Sequence, residues 1–174
     1  MKDPKNTAAA NKGFTLIEVV VVLAIAVTVV GIALPSYVTW RQSVEFRTSA
    51  RSIAAALRDA RSRAILSNFQ HRIEFETAPA PVGATGRYRM TQGDRAANSG
   101  TWNTVLDWTT MPPSVTLNLM NLSVNPGNNS IDFNPSGTAN LTVGVTNADI
   151  QIRDTTALTR FTVEVSNTGR VRIF

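Results

Sequence analysis

Lys12-Gly13-Phe14-Thr15-Leu16-Ile17-Glu18 sets one carboxylate at the head of an otherwise uncharged apolar run. From Phe14 to Leu34 the side chains are apolar apart from Thr15, Glu18 and Thr28. A helix of roughly 20 such residues crosses a bilayer. A charge inside that segment costs about 2.5–3.5 kcal/mol on insertion scales and persists where it has a partner. No cation occurs between Phe14 and Leu34, so the partner comes from elsewhere. The free amino group made by cutting the chain has the right charge. An ordinary secretory signal would place a small-residue cleavage site after its apolar stretch. Here that stretch is too long, and Ala33-Leu34-Pro35-Ser36 fits such a site poorly. A plain signal anchor leaves Glu18 unexplained.

The residues on either side of the run orient it. Lys2, Lys5 and Lys12 stand against Asp3 before it, which favours a cytoplasmic N-terminus. The residues that follow then face the other side of the membrane and suffice for one domain with its own core. Cysteine is absent, so neither disulfides nor thiolate metal sites are available. The formal charge of +5 falls to +3 without residues 1–13, and every cation after Lys12 is an arginine. Arginine forks match carboxylates and phosphates bidentately, so acidic partners suit the chain.

Beyond Pro35 the helix is expected to continue. Phe46, Ala50, Ile53, Leu57, Ala60 and Ala64 recur at steps of three and four and share one face. Arg47, Arg51, Arg58 and Arg61 fall on a neighbouring stripe, read either as a solvated flank or as a surface for acidic neighbours. From His71 the pattern changes to alternation: Ile73 and Phe75; Val115, Leu117 and Leu119; Ile150 and Ile152; Phe161, Val163 and Val165. Turn-rich segments lie between, at 77–86, 92–101, 112–113, 125–129 and 134–140. Short alternating runs between polar loops predict an antiparallel β domain. The 92–101 segment is the expected mobile loop. Trp102 and Trp108 share one face of a strand and are read as core or interface.

Chemistry finds few candidates. His71 is the one imidazole, and no G-x-S-x-G, Walker A, H-E-x-x-H or G-x-G-x-x-G pattern occurs. Asp132, Asp149 and Asp154 stand singly, without calcium-loop spacing. No enzymatic activity, metal or cofactor is expected.

Gly13-Phe14-Thr15-Leu16-Ile17-Glu18, after a lysine-bearing leader and before an apolar helix, resembles the class III signal of type IV pilins and secretion pseudopilins. The resemblance implies that a prepilin peptidase cuts after Gly13 and N-methylates Phe14. It also implies that Glu18 attracts the terminal amine of a neighbouring subunit during assembly. Pro35 falls where many pilins carry a helix-loosening proline. Ile131-Asp132-Phe133-Asn134-Pro135-Ser136-Gly137 and the ending Val165-Ser166-Asn167-Thr168-Gly169-Arg170-Val171-Arg172-Ile173-Phe174 are similar to the GspH/FimT group of minor pilins and pseudopilins.

That resemblance implies an α+β pilin fold: a long N-terminal helix, transmembrane in its first half, packed on an antiparallel β-sandwich-like head. The expected organisation is a leader at 1–13, a helix at 14–70 with its membrane part at 14–34, and a periplasmic head at 71–174. Implied partners are other pilin or pseudopilin subunits, the prepilin peptidase, the inner-membrane assembly platform and the lipid bilayer. The protein would sit in a bacterial inner membrane and enter a pilus or pseudopilus. Some FimT-like members bind DNA for natural transformation through a terminal Gly-Arg-x-Arg. Gly169-Arg170-Val171-Arg172 fits that pattern and makes double-stranded DNA the alternative partner.

The residues of that ending carry a reading of their own. Asn167-Thr168-Gly169 can turn the chain, with glycine at positive φ. Arg170 and Arg172 then share one face of the last strand. They could clamp two phosphates, or they could guard the edge against unwanted pairing.

Overall fold

The computed structural model describes residues 14–77, 86–125, 128–141 and 144–174. The expected leader at 1–13, with Gly13, lies outside them, as do residues 78–85 of the turn-rich segment at 77–86. The chain divides into two compact units, one ending at Trp40 and the other spanning Arg41–Phe174.

Helix α1 covers Leu16–Ser67. Thr15 caps it: its Oγ1 accepts a hydrogen bond from the Glu18 amide at 3.3 Å, and its carbonyl accepts from the same amide at 3.1 Å. Thr-x-x-Glu is a capping-box spacing, and a carboxylate in the first turn also complements the helix dipole. The helix continues through Pro35, whose side-chain surroundings lie outside the description. Asn68, at φ 58°, ends it in the left-handed region, a conformation that asparagine tolerates.

In the first unit the apolar side chains from Phe14 to Ile32 are exposed, and among the described residues nothing covers them. That suits lipid or other helices. In the second unit α1 buries Phe46, Ala50, Ile53, Ala54, Leu57, Ala60 and Ala64, the stripe expected from their spacing with Ala54 added. Four of these are alanines, which let a sheet approach the helix axis closely.

Ten strands follow among the described residues: β1 His71–Glu76, β2 Arg87–Gly93, β3 Trp102–Thr110, β4 Thr116–Met120, β5 Ser123–Asn125, β6 Asn128–Phe133, β7 Ala139–Asn140, β8 Asn147–Arg153, β9 Thr159–Ser166 and β10 Val171–Ile173. They form two sheets, ordered β3-β2-β1-β6-β5 with β7 on β6, and β10-β9-β8-β4. All pairings are antiparallel. The first sheet turns Ile73, Phe75, Tyr88, Met90, Ile131 and Phe133 inward; the second turns in Leu117, Ile150, Ile152, Val163 and Val165. Both share one core with the α1 stripe. Burying one such aliphatic side chain contributes roughly 1.5–3 kcal/mol. The fold is the expected α+β arrangement of one long helix and antiparallel sheets.

Trp102 and Trp108, read from sequence as core or interface, are half-buried and absent from the core. Trp102 lies against the Arg72 guanidinium (3.7 Å), and Trp108 against those of Arg87 (4.4 Å) and Arg89 (4.7 Å). Those arginines pair in turn with Asp132, Glu76 and Glu74, each at 2.6 Å. Strand alternation had placed the tryptophans correctly on a common face. That face is the outer one, where cation–π contact of about 0.5–2 kcal/mol replaces core packing. The 92–101 segment, expected to be mobile, is tied by hydrogen bonds to Gln70, which is almost fully buried.

Candidate functional site

Three places carry the residues singled out above. At the start of α1, Phe14 is 82% exposed, and the Glu18 side chain is exposed with no cation paired to it among the described residues. The amide end of Glu18 is occupied by the Thr15 cap. Its carboxylate is therefore held in the first turn while remaining available to a cation from another chain. Thr15 was missed from sequence, although Thr-x-x-Glu before an apolar run is the signal that finds it. Gly13, the expected cleavage position, lies outside the described residues.

The second place is the C-terminal hairpin. Gly169 takes φ 76°, as the turn reading requires, and it also sits against a second glycine turn. A Cβ on Gly169 would lie 2.0 Å from the carbonyl oxygen of Gly137, itself at φ 80°. Arg61 fastens the two turns, donating from Nε to the Gly137 carbonyl at 2.9 Å and from Nη2 to the Thr168 carbonyl at 3.4 Å. Arg170 and Arg172 are exposed, and neither forms an ion pair among the described residues. Glu164 stands directly opposite Arg172 in the β9–β10 register, with Asp149 opposite Glu164 on β8. A phosphate approaching Arg172 would meet those carboxylates. Arg153 and Arg160, the arginines of the neighbouring strands β8 and β9, are engaged elsewhere. Arg153 donates to Gln151, and Arg160 donates through two nitrogens to Asp154 at 3.1 and 2.8 Å. Asp154 also accepts from Thr156 and from the Leu158 amide. These donors, the Thr156 hydroxyl first, hold its carboxyl down at a pKa of about 2 despite burial.

The third place is the arginine stripe of α1, and here the structure divides the expected set. Arg47 and Arg51 are exposed and unpaired. Arg58 reaches the Val171 carbonyl at 3.3 Å, and Arg61 is the turn clamp just described. The helix and the C-terminal hairpin, far apart in sequence, are thus joined by two arginines.

Known proteins supply the remaining observation. Residues 49–169 match the family of type II transport protein GspH, and residues 9–34 match the prokaryotic N-terminal methylation motif. Two solved structures of the minor pseudopilin EpsH from the type II secretion system of Vibrio cholerae resemble the chain. One has a TM-score of 0.56 at 14% identity, covering 76% of this chain and 94% of that one. The other has 0.53 at 16%, covering 75% and 96%. The type IV minor pilin FimU of Pseudomonas aeruginosa gives 0.49 at 18%, covering 74% and 91%. At these identities the likeness is one of fold. No curated protein sequence matches the chain.

Proposed function

The chain belongs to the GspH family of type II transport proteins, and on that premise we propose that it is a minor subunit built into a secretion pseudopilus or type IV pilus through its N-terminal helix. One observation carries the reading: a methylation motif at 9–34 and a GspH domain at 49–169 on the same chain, in that order. In this reading a prepilin peptidase removes residues 1–13 and methylates Phe14. The precursor waits in the inner membrane with its head in the periplasm, and the assembly platform moves it into the filament. Glu18 then meets the new amine of a neighbouring Phe14. A carboxylate in lipid gains most from such a cation, and the exposed, unpaired state of Glu18 supports the assignment. The protein's work is structural, with no catalytic step of its own.

DNA uptake through Arg170 and Arg172 is the less supported alternative. Glu164 faces Arg172, and the match to the family ends at residue 169, before both arginines.

Intact-mass analysis of protein from native membranes tests the reading. The mass should show loss of residues 1–13 and gain of one methyl group, and Gly13→Val should abolish both. Glu18→Val should ease membrane insertion while depleting the subunit from filaments. A full-length chain in cells with an active peptidase, or normal filament entry of Glu18→Val, would overturn it.

A further inference from the structure

The charges on the head half of α1 are sorted by side. Its two carboxylates, Glu45 and Asp59, lie on one flank, and each is neutralised by an arginine four residues away: Arg41–Glu45 at 3.1 Å and Asp59–Arg63 at 2.9 Å. On the opposite flank stand Arg47, Arg51 and Arg58, all exposed and none ion-paired. At 100° per residue these three fall within about 40° of one another. The hydrogen bond from Arg58 to the Val171 carbonyl brings β10 to this flank, and Arg61 does the same for Thr168.

We infer that Arg47, Arg51 and Arg58 form a docking surface for a carboxylate-rich patch on a neighbouring filament subunit; the inference rests on the filament reading above. Charge complementarity selects the occupant. Seven other arginines of the head are neutralised by carboxylates within the chain, whereas these three stand side by side without an ion pair among the described residues. Guanidinium forks bind carboxylates bidentately and at low desolvation cost. Exposed Val44 and Ala55 border this flank on the side away from the core. Apolar contact suits a protein surface and has no counterpart along a phosphate backbone. Such rim charges set partner choice and register more than they set the stability of either chain.

The test uses the full-length protein in cells that assemble the filament. The triple variant Arg47→Gln, Arg51→Gln, Arg58→Gln should keep wild-type membrane level and processed mass, with a small fall in unfolding temperature from loss of the Arg58–Val171 hydrogen bond. Its recovery in purified filaments should fall by about tenfold or more. Arg95→Gln, which removes an exposed arginine paired with its neighbour Asp94, should enter filaments normally. Arg51→Glu should be rescued by an Asp or Glu changed to Lys or Arg in another subunit, and the position of that change identifies the occupant. Filament entry of the triple variant at the wild-type level overturns the docking surface alone. So does a triple variant that enters filaments but loses the wild type's affinity for a 30-base-pair duplex, which reassigns the flank to nucleic acid. A wild type absent from filaments overturns the filament reading and this surface with it.

Discussion

His71 is the one side chain whose ordinary pKa lies within the physiological range. It opens β1, is 3% exposed, and its Nδ1 lies 3.2 Å from the Phe69 carbonyl. Burial holds its pKa below 6.5; the carbonyl contact opposes that shift, nearby Arg63 adds to it and Asp59 works against it. A depressed imidazole pKa means the unfolded chain takes up a proton more readily than the folded one. Stability is therefore full above pH 6.5 and is lost as pH falls toward the folded-state value. Asp154 titrates near 2, and Asp94 is held lower still by its Arg95 partner, so neither obscures this window. Denaturant midpoints of the head should rise from pH 5.5 to 7.5, and His71→Gln should flatten the rise. A flat wild-type profile would show that the imidazolium is tolerated where it stands. Sequence identified this histidine and its position at a helix-to-strand junction. Its burial depends on what packs over that junction.

Between elements, Gln70 joins the end of α1 to two distant loops. Its amide donates to the Arg95 carbonyl (2.9 Å), its carbonyl accepts from Gly93 (2.8 Å), and its side chain accepts from the Ser99 amide (2.8 Å). The side-chain nitrogen donates to Asn134 (2.7 Å). These bonds explain why a segment rich in glycine, asparagine and serine is ordered. Composition reads the intrinsic freedom of 92–101, whereas the partner that restrains it lies 29 residues away from Ser99 and 64 from Asn134. Gln70→Ala should destabilise the head by about 1–3 kcal/mol, the cost of leaving buried groups unpaired. The 95–100 amides should also lose hydrogen-exchange protection while β8 and β9 keep theirs. Unchanged protection of 95–100 would show that the Asp94–Arg95 pair and the bond from the Gly100 amide to Asp94 suffice.

At the scale of the molecule, every buried core residue lies at Phe46 or later, within the unit spanning Arg41–Phe174. That unit should fold without the apolar half of α1. Residues 41–174 alone should unfold in one cooperative calorimetric transition, with an enthalpy of about 90 kcal/mol near 60 °C on the usual scale of ~0.7 kcal/mol per residue. A broad, non-cooperative transition would show that the first unit is needed for the head to pack. What the sequence by itself determined were the features written in neighbouring residues. The apolar run with its lone Glu18, the helical stripe from Phe46 to Ala64 and the alternation of the buried strands depend only on local periodicity, which the backbone geometry of helix and strand converts directly into faces. What only the tertiary structure decided were the partners. Trp102 covers Arg72 rather than entering the core, Arg61 clamps Gly137 to the Gly169 turn, and Arg47, Arg51 and Arg58 remain unneutralised while their helix neighbours are paired. Hydrogen bonds and ion pairs are set by distance in space. Only the packing of the two sheets with α1 brings together groups that lie tens of residues apart along the chain.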